Sequence, residues 1–122
     1  MKQKIKGIAM IADQVDANGN VFTAEALREA VLNFKSCGIG YEFNPHIPHF
    51  GKVTKVELVD GKLVIEGEVD TAPFVEQLAV VPVFNVKKMH SEGITRVIDE
   101  AEIIEMSLTS QPADKEATRY EL

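Results

Sequence analysis

The chain has no tryptophan and a single cysteine, Cys37, among its 122 residues. One thiol cannot close an intrachain disulfide, so the fold must hold by its core alone, and the default compartment is a reducing cytosol. Positive charge is also scarce. Thirteen Lys and Arg face nineteen Asp and Glu, a net charge of −6, which argues against coating nucleic acid, a task that needs clustered cations. No apolar run approaches the roughly 20 residues that span a bilayer, and the basic start Met1–Lys6 leads into short β-like sequence rather than an apolar signal core. Repeats, linkers and low-complexity tracts are missing too. What is present is the composition of one globular domain, 45% hydrophobic and 26% charged, long enough to bury a core without staples.

Residues 4–12 carry apolar side chains on both faces, the pattern of a central strand. Asn18-Gly19 supplies positive-φ residues for a turn. Thr23 is placed to N-cap a helix over 24–36, with Glu25 in its first turn, Leu27, Val31 and Phe34 as its buried stripe and Gly38 as its end. The stretch 39–50 reads as irregular. Asp60-Gly61 is a type I′ hairpin signal between strands 52–59 and 62–69. Thr71-Ala72-Pro73 opens a short helix to about Ala79. Val80–Lys88 is a strand in which Pro82 removes one ladder hydrogen bond. After a Ser91-Glu92-Gly93 turn come two further β segments, 94–98 and 101–109, and 114–122 is a polar tail. Short strands joined by hairpins predict a mainly β, α+β domain: a small barrel or sandwich with two peripheral helices.

The densest chemistry lies at 43–53, where His46 and His49 are set among Pro45 and Pro48, ahead of a strand that begins Gly51-Lys52-Val53. Three blocks are distinctive together: Gly7-Ile8-Ala9-Met10 with Asp16-Ala17-Asn18-Gly19-Asn20-Val21; Phe43-Asn44-Pro45-His46 through Gly51-Lys52-Val53 with Leu63–Gly67; and Ile103-Ile104-Glu105-Met106-Ser107-Leu108-Thr109-Ser110-Gln111-Pro112-Ala113. In order and spacing the chain resembles the prohead maturation proteases of tailed bacteriophages, whose fold is related to the herpesvirus assemblin serine protease. The resemblance implies an assemblin-like small β-barrel. It matches His46 to the catalytic histidine, with His49 as a substitute because the spacing from His46 to Gly51 is slightly short. It places the nucleophilic serine, usually within Leu-Ser-Ile-Gly-Phe, at Val81 of Val80-Val81-Pro82-Val83-Phe84, and the glycine at Val83. Valine offers neither oxygen nor sulfur to a base, and Pro82 has no N–H for an oxyanion.

Other nucleophiles are weaker readings. Ser91 follows His90, and adjacent side chains in a loop diverge. Ser107 and Thr109 read as buried hydroxyls bonded to backbone. Cys37 lies at a helix end, where nothing lowers its pKa. His46, His49 and His90 lack familiar metal-ligand spacing, so neither metal nor cofactor is expected. Glu57, Glu66 and Glu68 form an acidic stripe, and Asp99, Glu100, Glu102 and Glu105 a solvated face. Phe43, Ile47 and Phe50 are the interface candidates of the proline loop.

The expectation is therefore a catalytically inactive relative of the prohead proteases, in the virion or the cytoplasm of an infected bacterium. It would be a decoration, cement or assembly protein bound to the major capsid protein or scaffold, with no nucleic-acid or membrane partner and with homo-oligomerisation left open. The short run after the closing block goes with an expectation of no extension for scaffold targeting. The alternative is an active maturation protease that uses His46 or His49 with Ser91 or Ser107.

Overall fold

A computed structural model describes residues 2–70 and 79–109. Of the helix expected from Thr71 to about Ala79, residues 71–78 lie outside the described residues, as does the polar tail, and Ala79 itself begins a strand. Seven strands and one helix follow in the order β1 (Lys2–Ile11), β2 (Asn20–Phe22), α1 (Ala24–Asn33), β3 (Cys37–Tyr41), β4 (Gly51–Val59), β5 (Lys62–Asp70), β6 (Ala79–Glu92) and β7 (Thr95–Thr109). The fold is mainly β, as expected, with a curled, half-barrel sheet and a single helix among the described residues.

The sheet runs β1-β5-β4-β3-β7-β2, with β6 also on β7. β7 is its spine. Antiparallel β6 occupies one edge of β7 from Ala79↔Thr109 to Glu92↔Thr95. The parallel strands β2 and β3 share the other edge, at Val21↔Val97 and Gly40↔Ser107. Contrary to the central position read for it, β1 ends the path, paired with β5 and close to β6. Its two apolar faces reflect a bulge between Ile8 and Met10, which switches the side of the strand that faces the core.

Local chemistry explains the elements that match the sequence. The Thr23 hydroxyl accepts from the Ala26 N–H at 3.0 Å and starts α1. Asp60 and Gly61 take φ of 50° and 77°, the type I′ geometry that joins β4 to β5. Three readings are corrected. The helix stops at Asn33 because Phe34 turns extended, and its deepest residues are Ala26, Leu27 and Ala30, with Val31 and Phe34 only partly buried. Gly38 therefore does not end it. Cys37–Tyr41 is a strand rather than part of an irregular loop. The segments 94–98 and 101–109 are one strand, and the hairpin before it turns at Gly93-Ile94, where Gly93 takes the positive φ.

The core lies between α1 and the concave side of the sheet. Leu27, Ile39, Val53, Leu63, Ile65, Met106 and Leu108 belong to this one cluster, all essentially inaccessible. No helix among the described residues is long and apolar enough to cross a membrane.

Candidate functional site

The convex face of β3 and β7 carries a second cluster, roofed by the segment between β3 and β4. Side chains alternate along β7, so Met106 and Leu108 enter the core while Glu105 and Ser107 face the other way. The strap 42–50 crosses this outer face. Glu42 N–H donates to the Leu108 carbonyl at 2.7 Å, and Phe43 N–H to Ser107 Oγ at 2.9 Å. Asn44 tightens the turn from both ends, its N–H bonding to Tyr41 O and its side chain accepting from His46 N–H. Glu42 and Phe43 are consecutive left-handed residues, φ 50° and 55°. Two such non-glycine residues in a row hold stored strain that the surrounding bonds must maintain.

The strap ends at His49, whose Nε2 lies 2.7 Å from Glu105 Oε2. The imidazole rests on β3 where Gly38 and Gly40 provide a bare backbone. A Cβ on Gly38 would collide with His49 Nδ1, and one on Gly40 would touch both Glu105 and His49. A groove of about 270 Å³ opens beside this pair, with Lys52, Thr54, Glu68 and Asp70 among its walls. His46 behaves differently: it is exposed, and its ring makes no hydrogen bond among the described residues. Of the two histidines, His49 is the one held by an acid.

The register places Val81 directly opposite Ser107, and Val83 opposite Glu105, with no bulge between. Directly paired residues share a face, so Val81 lies on the face that carries His49 and Glu105. The arrangement holds an imidazole hydrogen-bonded to a carboxylate, with the aliphatic Val81 on the same face. Ser107 shares that face, but its Oγ is fully buried and already accepts from Phe43 N–H. Ser91 and His90 are neighbours in β6, so they point to opposite faces. Cys37 is buried at the start of β3. Burial, and then the charge of Glu105, push its thiol up to about 11 against a smaller opposing bond from the Met106 backbone, which keeps it protonated and unreactive near neutrality.

His90 sits at the far end of the β6–β7 hairpin, opposite Val97 and so roughly 25 Å along the ladder from Glu105. Its Nδ1 lies 2.6 Å from Asp99 and its Nε2 2.7 Å from Glu92. Both ring nitrogens face carboxylates, an arrangement that favours the imidazolium form, in which both donate. The bonds to Asp99 and then Glu92 raise its pKa above the ordinary 6.5. A raised folded pKa contributes stability that is fully present below pH about 6.5 and is lost as pH rises through the folded value. The expected outcome is a hairpin tip that loosens on the alkaline side of that window. An NMR titration of the His90 imidazole checks it, with Asp99→Asn moving the midpoint down towards the ordinary value.

The three histidines are therefore not gathered, and among the described residues no group of three or more His, Cys, Asp or Glu is placed to hold a metal. The acidic stripe is interrupted by Lys55, which bridges Glu57 at 3.2 Å and Glu66 at 3.5 Å. Of the proline-loop residues, Phe43 is half exposed while Ile47 and Phe50 are partly covered. Sequence reasoning missed Glu105, taken there as a solvated acid, and the Gly38/Gly40 floor. The available signal was Gly-x-Gly inside a strand, which marks a close approach of other atoms to the backbone.

Comparison of the chain with protein-family models, with curated proteins and with solved structures gives no match.

Proposed function

We propose that the domain is an assemblin-like small barrel, a catalytically inactive relative of the prohead proteases, that works as a phage head protein bound to the major capsid protein or scaffold. The observation that carries this reading is the pairing of Val81 with Ser107 on the face of the His49–Glu105 pair. A base and its acid are in place, and the side chain aligned with the family's serine has no nucleophilic atom. The strap supports the binding half of the reading: strained backbone presents the half-exposed Phe43 ring beside Ile47 and two prolines, and strain of this kind concentrates at functional surfaces. Such an anchor suits a partner surface better than it suits DNA, given the net charge of −6.

Two measurements test the two halves. The purified protein should remain unlabelled by a serine-directed fluorophosphonate; labelling that His49→Ala abolishes would show a working nucleophile and sink the claim of inactivity. Quantitative mass spectrometry of purified virions should find intact chain at a regular ratio to the major capsid protein. Its absence from virions, together with failure to co-sediment with proheads, would remove the capsid role.

A further inference from the structure

The turn before β2 takes no part in the site above and carries chemistry of its own. Of the five asparagines, Asn18 alone precedes a glycine. It is exposed, and its side-chain amide makes no hydrogen bond among the described residues, so the amide is free to swing towards the next peptide group. Gly19 puts no side chain in its way, and the nearest atom to where a Cβ would stand is the Ile94 carbonyl oxygen at 3.9 Å. The backbone, by contrast, is tied down. The Asp16 carboxylate accepts from the N–H groups of Asn18 and Asn20, at 2.8 and 3.0 Å. From β7, the Arg96 N–H donates to Gly19 O at 2.9 Å, and the Arg96 guanidinium donates to Asn18 O at 2.7 Å. That carbonyl and the Gly19 N–H are the two ends of one peptide group.

We propose that Asn18 is a deamidation site and that Arg96 promotes the reaction. Hydroxide removes the Gly19 amide proton. The nitrogen forms a bond to Asn18 Cγ, and the side-chain nitrogen takes a proton from water and leaves as ammonia, which closes a five-membered succinimide. Water then opens the ring. Attack at Cγ gives aspartate, and attack at the main-chain carbonyl gives isoaspartate, whose backbone runs through the side chain. Once its proton is lost, the nitrogen shares its negative charge with the Asn18 carbonyl oxygen through amide resonance. A cationic donor on that oxygen stabilises the charge. One bond opposes the step: the Gly19 N–H donates to Asp16 O, at 3.1 Å the longest bond of the turn, and it must open first. Either product adds a carboxylate two residues from Asp16. Isoaspartate also lengthens the backbone by one carbon where the turn is tied to β7, beside a β2 of only three residues, so this product loosens that edge of the sheet.

Incubation of the full chain at neutral and mildly alkaline pH, followed by digestion and mass spectrometry, tests the proposal. Asn18 should convert severalfold faster than Asn33, which is also exposed but precedes Phe34, with isoaspartate among the products. The rate should climb with pH, since the attacking form is the deprotonated amide. Arg96→Gln should slow conversion by roughly three- to tenfold, less than the loss of a donor from a water-excluded site. Arg96→Lys, which keeps the cation, should recover part of the rate. Both variants leave the backbone bond to Gly19 O in place, and circular dichroism melts check their folding. In urea, wild type and Arg96→Gln should convert alike, because the guanidinium contact belongs to the folded turn. Conversion at Asn18 no faster than at Asn33 would overturn the site. An Arg96→Gln chain that converts as fast as the wild type, or a deficit that persists in urea, would overturn the part given to Arg96.

Discussion

Gly67→Ala is expected to destabilise the domain by about 3 kcal/mol, near the upper end for an inserted methyl group. Gly67 is in β5, paired with Ile5 on one side and Val53 on the other. An added Cβ would collide with the Lys52 carbonyl oxygen and lie 3.0 Å from Val53 Cα. Both are backbone atoms of a strand that is itself paired on both edges, so no side-chain rotation relieves the clash. The adjacent bulge at Thr54 draws β4 over this position and makes the glycine necessary. Urea unfolding should show the midpoint fall with the slope unchanged. Gly38→Ala makes the useful contrast. Its Cβ collides with the His49 ring, which is half exposed and can swing away, so the cost is the His49–Glu105 pair, about 1 kcal/mol or less for an exposed ion pair. Equal losses in the two variants would show that His49 is locked in place rather than laid on the surface.

These two glycines also show how far the sequence is legible. Signals carried by neighbouring residues were readable: Thr23 as a cap and Asp60-Gly61 as a hairpin. Signals that depend on distant backbone were not. Val53 and Val56 are both buried although three residues apart, because the extra residue at Thr54 shifts the alternation, and nothing in Lys52–Glu57 marks where a bulge falls. Ile104 is exposed beside the half-buried Ile103 for the same reason, since the ladder skips it between Val83 and Phe84. The strand Cys37–Tyr41 was hidden by two glycines with low β-propensity, which only the arrival of His49 explains. His49 and Glu105 are 56 positions apart, and their pairing follows from the parallel register of β3 on β7, a feature without a local signature. The parts of the site that remained hidden are those created by sheet assembly.

Ser107→Ala should have the second largest effect, and it acts on the strap rather than the core. Ser107 Oγ is fully buried and accepts the Phe43 N–H at 2.9 Å. Removing that oxygen leaves the N–H without an acceptor while the strap stays down, a cost of about 1–3 kcal/mol. Two consecutive left-handed residues, Glu42 and Phe43, already hold strain on the order of 1–2 kcal/mol each. With one of its bonds gone, the strap gains by lifting: the Phe43 N–H reaches water and the backbone relaxes. Phe50, which donates to Ile39 O and accepts from Asp70 N–H, holds the far end of the strap down, so the lifting is confined to the end at Glu42–Asn44. Native-state hydrogen exchange should therefore show protection lost at Glu42, Phe43 and Asn44, while Met106 and Leu108 in β7 keep theirs and the global unfolding free energy falls by no more than the bond's worth. Unchanged protection at Phe43 would mean that the strap is held by its side chains and not by this bond. A loosened strap would also present the Phe43 ring in many positions instead of one, so if the proposed capsid role holds, the same variant should bind proheads more weakly although no surface side chain has changed. Loss of binding without loss of fold would then trace partner recognition to the preorganised loop.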